Sequence, residues 1–313
     1  MRTAFIDSLF ELAAGDRNVC LITGDLGFGV VEKFASQYPD QFVNAGVAEQ
    51  NMTGLAAGMA LTGKVVFTYS IANFTTLRCL EQIRNDVCYH RLNVKVVSVG
   101  GGFAYGALGI THHATEDLAI MRALPGMTVV APGDPVEASL ATQAVHKLPG
   151  PCFLRLGKAG EAIVHVTKPD FEIGRAIVVR EGRSATIIST GGMLETAVKV
   201  ADTLAGSGSS VRVLSMHTVS PLDADAVRAA AADTRWIFTL EEHSVNGGLG
   251  GAVAEVLAEL DRPGARLTRL GVAPRFTSSP GGQDYMRRIH GLDHDAVLST
   301  VKRTLKASVA LRS

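Results

Sequence analysis

Two short segments hold the side chains of this sequence that are best placed to do chemistry. The first is Gly46-Val47-Ala48-Glu49-Gln50-Asn51-Met52, which follows a short strand and opens an apolar helix over 52–61. A carboxylate at such a position either stabilises the helix dipole, by roughly a few tenths of a kcal/mol, or takes part in proton transfer. About sixty residues later comes Gly109-Ile110-Thr111-His112-His113-Ala114-Thr115-Glu116-Asp117. An imidazole there can donate to a hydroxyl or carbonyl and relay protons near neutral pH. Adjacent side chains of an extended segment point to opposite sides, so His112 and His113 are not expected to share one task.

These groups need a frame that holds them together. Short β-branched runs at Val19–Thr23, 65–69, Val94–Val99, 128–131 and Cys152–Leu156 alternate with Ala/Leu-rich helical patterns. Such alternation predicts a parallel sheet with helices on both faces, and continuous apolar runs are what doubly covered strands require. A polar stretch around 168–182 precedes a second series at 185–190, Val211–Ser215, 236–241 and 267–270. The expectation is an α/β chain of two domains, residues 1–167 and 181–313, each a mostly parallel sheet flanked by helices, joined by a linker over 168–180. In open sheets of this kind ligands bind at the carboxyl ends of strands. The turns at Gly24-Asp25, Gly100-Gly101-Gly102, Gly191-Gly192 and Gly247-Gly248 fall there. Glycine-rich turns alone are weak evidence, because tight strand-to-helix connections need them anyway.

Composition bounds the rest. The 313 residues are 47% hydrophobic, enough for two ordinary cores. Lys plus Arg and Asp plus Glu both total 30, so no net field attracts nucleic acid or anionic lipid. No apolar run approaches the ~18 residues needed to span a bilayer, and the first ten residues read as an amphipathic helix rather than a leader. Cys20, Cys79, Cys88 and Cys152 lie far apart in apolar stretches, without metal-site or disulfide spacing. The expectation is a cytoplasmic protein with reduced thiols, no membrane contact, no nucleic-acid contact and no metal ligands of its own.

The Ala48-Glu49-Gln50 segment, Leu80-Glu81-Gln82-Ile83-Arg84, Thr111-His112-His113, the turn Arg122-Ala123-Leu124-Pro125-Gly126, Pro221-Leu222-Asp223 and Glu241-Glu242-His243 together resemble the transketolase family over nearly the whole chain. The resemblance implies a pyrimidine-binding domain followed by the family's C-terminal domain, and a ketol-transferring enzyme that uses thiamine diphosphate. It implies that Glu49 hydrogen-bonds the aminopyrimidine and favours the tautomer whose nitrogen takes the proton from thiazolium carbon 2, while the cofactor serves as electron sink. His112 matches a position that contacts the sugar, with His113 beside it as a further substrate contact. Arg155 and Arg2 match arginines near the phosphate of a sugar phosphate, a group that guanidinium forks suit. Asp25 matches an aspartate near the cofactor, or is a turn-forming residue. Phe74 is the aromatic available to stack on the pyrimidine, in Ser70-Ile71-Ala72-Asn73-Phe74-Thr75-Thr76, where the family has a more aromatic run.

Two departures bear on substrate. The family's Glu-Asp-Gly is Ala107-Leu108-Gly109 here, and a histidine found about twelve residues before His112 is Gly100. A sugar hydroxyl prefers a partner over Leu108, so the substrate is expected to differ from that of housekeeping transketolase.

The family's Gly-Asp-Gly, which with an asparagine holds magnesium and the diphosphate, does not occur in this sequence. The resemblance therefore implies a separate diphosphate-binding N-terminal subunit that holds Mg2+, and an α2β2 heterotetramer built on a homodimer core. The alternatives are the β subunit of a 2-oxoacid dehydrogenase decarboxylase, a 1-deoxyxylulose-phosphate synthase-like enzyme, and a silent scaffold. The first has a Ser-Gln run where this chain has Ala114-Thr115-Glu116-Asp117, and the second normally comes as one long chain.

Overall fold

The computed structural model describes residues 1–261 and 264–310, with side chains to 306. It holds two sheets. Seven strands, β1 (Val19–Thr23), β2 (Phe42–Asn44), β3 (Val65–Ile71), β4 (Val94–Val99), β5 (Thr128–Val130), β6 (Cys152–Leu156) and β10 (Thr218–Ser220), form the first, in the order β10-β5-β6-β4-β3-β1-β2. The second has five strands, β7 (Ile177–Arg180), β8 (Ala185–Ser189), β9 (Val211–Ser215), β11 (Trp236–Ser244) and β12 (Arg266–Val272), in the order β12-β11-β8-β9-β7. All pairings are parallel except those of the two edge strands β10 and β7, which run antiparallel.

Strand β1 shows why the first sheet is buried on both sides. Val19 and Leu21 point into one apolar cluster with Phe5, Phe34 and Phe67, whereas Cys20 and Ile22 point into another with Met52, Ile83 and Phe153. Period-two alternation puts successive side chains on opposite faces, and here both faces are apolar. The four cysteines are all buried and unpaired. Among the described residues no helix is long and apolar enough to cross a membrane.

Two expectations about organisation need correction. The polar linker expected over 168–180 ends in β7, because Ile177 and Val179 turn partly inward against β9 while Val178 and Arg180 face solvent, a half-buried edge pattern hidden among polar neighbours. Strand β10 lies deep in the second half of the sequence, yet it pairs with β5 of the first sheet. The two halves are thus stitched by backbone hydrogen bonds as well as by side chains.

Most of that stitching is polar. Arg155, on β6, donates from Nε to Asp117 Oδ2 (2.7 Å) and from Nη2 to the carbonyls of Ala114 (2.8 Å) and Glu242 (3.1 Å). Glu242, on β11, accepts from the Phe103 amide (2.5 Å) and from Gln283 Nε2 (3.0 Å) and pairs with Arg287. Its neighbour Glu241 caps the helix Leu249–Ala258 by accepting the amides of Leu249 (2.8 Å) and Gly250 (2.7 Å). His243, whose basicity burial lowers, donates from Nδ1 to the Ser244 carbonyl and accepts the Ala119 amide on Nε2. The Gly100-Gly101-Gly102 turn is what lets these groups approach: a Cβ on Gly102, at φ +66°, would lie 2.7 Å from Glu242 Cγ, and one on Gly101 2.8 Å from Arg155 Cζ.

Gly102→Ala should therefore destabilise the chain by about 3 kcal/mol or more, through backbone strain plus the clash with Glu242. Gly126→Ala, at φ +77° with open space around it, should cost only the strain, about 1–2 kcal/mol. Urea unfolding of both variants checks the difference, and equal losses would remove Glu242 as the cause. Burial pushes the Glu241 carboxyl up to about 7 from 4.5, against the pull of its two amide donors. A folded-state value above the unfolded one means stability that is present below pH 4.5 and is lost as pH rises through about 7, some ~3 kcal/mol in all. Carboxyl-carbon NMR titration should find Glu241 changing charge near neutrality; a midpoint below pH 5 would show that the amide bonds win.

Candidate functional site

The first sheet reverses its winding between β1 and β3: the chain leaves β1 for β2 on one side, then returns to β3 on the other. Such a switch point opens a crevice at the carboxyl ends of the strands. Glu49, the first residue of the helix Glu49–Leu61 that links β2 to β3, sits at this crevice, 2% exposed. Its neighbours come from both strand ends, since a Cβ on Gly24 would lie 3.2 Å from Glu49 Cγ and 3.6 Å from Ser70 Oγ. A larger residue at position 24 would push the carboxylate aside.

Glu49 Oε2 accepts from Arg78 Nη1 at 2.6 Å. The pair is asymmetric, with Arg78 45% exposed, so the carboxylate is desolvated while its counter-ion reaches solvent. The Arg78 guanidinium also lies 4.5 Å from the centroid of the Phe74 ring. Phe74 also meets the His112 ring, centroids 5.2 Å apart and planes inclined by 66°. One row of contacts thus runs from Glu49 through Arg78 and Phe74 to His112, across two segments that the sequence separates.

His112 is held from both ends. Its Nδ1 lies 2.9 Å from Thr111 Oγ1. Asn73 donates from Nδ2 to the carbonyls of Thr111 (3.2 Å) and His113 (2.5 Å), the residues on either side of it. Both partners are acceptors, which fixes the orientation of the Asn73 amide. Burial, and secondarily the neighbouring His113, lower the basicity of His112, so it is a neutral imidazole at physiological pH.

Four other expected site residues separate into two groups. Asp25 lies at the same end of β1, with φ +54°, in a mutual contact with Asn44: the Asp25 amide donates to Asn44 Oδ1 (3.1 Å) and Asn44 Nδ2 to Asp25 Oδ1 (2.9 Å). Its carboxylate is exposed at the rim of the crevice. Arg2 borders a cavity of about 200 Å³ beside it, together with Phe28, Ser70, Val99 and Tyr105. Neither Arg2 Nε nor Ser70 Oγ has a hydrogen-bond partner, although both atoms are buried. By contrast, His113 is 3% exposed, faces the Phe103 ring edge-on and bonds through Nε2 to the Gly106 carbonyl (3.1 Å). Its ring has no face left for a substrate. Arg155 is 5% exposed, with Nε and Nη2 bonded to Asp117, Ala114 and Glu242; these bonds make it an interdomain tie.

Sequence reasoning missed Arg78, Asn73, Ser70 and Tyr105. Only Asn73 left a usable signal: an amide two residues past the end of a buried strand, next to the sole aromatic of its segment, asks for a partner loop.

Comparison with known proteins identifies both halves of the chain. The model of the transketolase pyrimidine-binding domain matches residues 1–160, and that of the transketolase C-terminal domain matches residues 174–297. Over 309 residues the chain is 36% identical to a "Putative transketolase C-terminal section" of Methanocaldococcus jannaschii, covering 98% of this chain and 96% of that one. It is 37% identical to one of the subunits of an apulose-4-phosphate transketolase of Phocaeicola vulgatus, covering 97% of each. Among solved structures, a "Split gene transketolase, inactive beta4 tetramer" superposes with a TM-score of 0.88 at 35% identity over 97% of both chains.

Replacing Arg78 by Met would leave the Glu49 carboxylate buried beside no cation. The cost should be about 2 kcal/mol, moderated because Arg78 reaches solvent. A second change, Glu49→Gln, should restore more than half of it. A double-mutant cycle by thermal unfolding reads this coupling, and additive losses would show that the pair contributes nothing.

Proposed function

The chain belongs to the transketolase family, and from that premise we propose that it is the pyrimidine-binding subunit of a two-subunit transketolase that moves a two-carbon ketol unit between a ketose and an aldose. The observation that carries the reading is Glu49: a carboxylate sealed into the switch-point crevice, with a cation at one oxygen and an aromatic ring within reach of that cation.

The family depends on thiamine diphosphate, and the residues around Glu49 fit its aminopyrimidine. The crevice offers a carboxyl, a buried Ser70 hydroxyl with no partner and the partly exposed Phe74 ring, as a flat heterocycle with hydrogen-bonding edges requires. When bound, thiamine diphosphate supplies a carbon nucleophile and an electron sink for cleaving the bond next to a ketose carbonyl.

This chain's part is placement and proton control. Glu49 holds or gives up one proton at the pyrimidine nitrogen, and Arg78 balances the charge left on the carboxylate. Phe74 provides a stacking face. Asp25, at the rim, keeps the end of β1 in its turn through Asn44 and offers a carboxylate to the cofactor's edge. His112 has Nδ1 engaged by Thr111, so Nε2 is the atom that takes or returns a proton at the sugar hydroxyl, a task suited to a neutral imidazole. Arg2 supplies positive charge for a phosphorylated sugar. The 100–117 loop, tied down by Arg155 and Glu242, keeps His112 at a fixed distance from the crevice.

Magnesium and the diphosphate belong, on this reading, to the partner subunit, in an α2β2 assembly with cytoplasmic location. The lack of Gly-Asp-Gly here supports this, as do Val47, Leu108 and Phe28, large apolar side chains left exposed around the crevice.

In the reconstituted two-subunit enzyme, Glu49→Gln should lower kcat by about 100-fold or more while leaving assembly intact by light scattering. Wild-type turnover by that variant would refute the assignment.

A further inference from the structure

We propose that Tyr105 sets the length of sugar this subunit accepts, its ring forming the end wall of the cavity beside Glu49. The inference rests on the transketolase reading, because it assigns a substrate to that same crevice.

The wall is visible in what Gly100 excludes. Gly100 has φ +90°, and a Cβ built on it would fall against Cε2 and Cδ2 of the Tyr105 ring. The ring therefore lies flat across the backbone at position 100, and any side chain there would displace it. A glycine at this point is the condition for the phenol to enter the site. Two further contacts fix the ring: Lys158 Nζ sits 5.1 Å from its centroid, and the His112 ring meets it at 6.3 Å, steeply inclined. Tyr105 thus lines the cavity bordered by Arg2 and Ser70 and also meets the ring of His112, the group that faces the reacting sugar.

The space that the ring closes off is small. Pockets that enclose a whole drug-sized ligand run to about 300–1,000 Å³, whereas this one holds about 200 Å³. It admits the end of a sugar and no more. Its two buried atoms without partners, Arg2 Nε and Ser70 Oγ, ask for an anionic oxygen and a hydroxyl or carbonyl. No carboxylate is ion-paired with Arg2 or Lys158 among the described residues. Leu108 and Ile110, on the loop that carries Tyr105 and His112, expose apolar side chains, so hydroxyls along the middle of a longer chain would lose water there without gaining partners. The substrate class that fits is a short aldose with an anionic end. Burial raises the Tyr105 phenol above its ordinary range, with Arg2 pulling the other way, so the wall is uncharged at neutral pH and does not repel that end.

The test uses the complex with its diphosphate-binding partner, thiamine diphosphate and magnesium, and compares a three-carbon with a five-carbon aldose phosphate as acceptors. The wild type should favour the shorter one by about 10-fold or more in kcat/KM. Tyr105→Ala should cut that preference at least about 10-fold by accepting the longer acceptor, whereas Tyr105→Phe, which keeps the ring, should hold the preference within about 2-fold. Tyr105→Val, a smaller wall that still covers Gly100, should fall between them and guards against loss of fold in the alanine variant. Equal use of both acceptors by the wild type, or an alanine variant that keeps the preference, overturns the proposal. Calorimetric binding of the same two aldose phosphates reads the wall without turnover. A complex that binds the short one selectively yet transfers no ketol group overturns the transketolase reading alone; one that binds both equally, or neither, overturns the wall.

Discussion

The buried contact between Arg155 and Asp117 is the constraint on which the rest of this chain depends. Two charges taken out of water favour the folded state only when their polar atoms find partners; here the bonds of Arg155 are spread over four segments, while Asp117 Oδ1 is buried without a partner. Arg155 stands on β6 of the first sheet, Asp117 opens the helix Asp117–Arg122, and the same guanidinium reaches the carbonyls of Ala114 and, on β11 of the second sheet, Glu242. Glu242 in turn accepts the Phe103 amide and binds Gln283 and Arg287. The loop between residues 100 and 117 is thereby pinned at both of its ends by one network. What hangs between the pins is Tyr105, His112 and the glycines that let them pass.

The division of labour within the chain follows from this. The first sheet supplies the crevice and Glu49; the second sheet, through Glu242, holds the loop that carries His112. A side chain such as Glu242 can therefore matter for turnover without approaching a substrate. The histidine pair illustrates the same economy at the scale of one peptide bond. His112 is turned to the crevice against Phe74, while His113, one residue on, is buried against Phe103 and the Gly106 carbonyl and anchors the loop.

Much of this was legible beforehand, for identifiable reasons. Parallel strands covered on both faces leave unbroken β-branched runs, and β1, β4, β6 and β9 have the bounds that those runs predict. The edge strands β7 and β10 were not legible, because each is three or four residues long and owes its pairing to a partner elsewhere in the chain, and β7 has in addition one wet side. Glu49 announced itself by its place before an apolar helix. Arg78 did not, since nothing in the order of residues says that a cation in a later turn will return to the head of an earlier helix. The interdomain bonds of Arg155 were hidden for a related reason: a guanidinium at a strand end looks the same in sequence whether or not it meets the next domain, and Asp117 and the β11 backbone are distant in the chain.

Strand β10 carries a consequence for how the polypeptide comes off the ribosome. The first sheet cannot finish its outer margin along β5 until Thr218–Ser220 has been synthesised, long after β6 is complete. During that interval the nascent half exposes a row of unsatisfied amides and carbonyls on Val129 and Val130, a template for pairing with any other extended chain. Translation past Ser220 is therefore the point at which the first half of the molecule stops being sticky, and a gene cut between the two halves would strand it in that state.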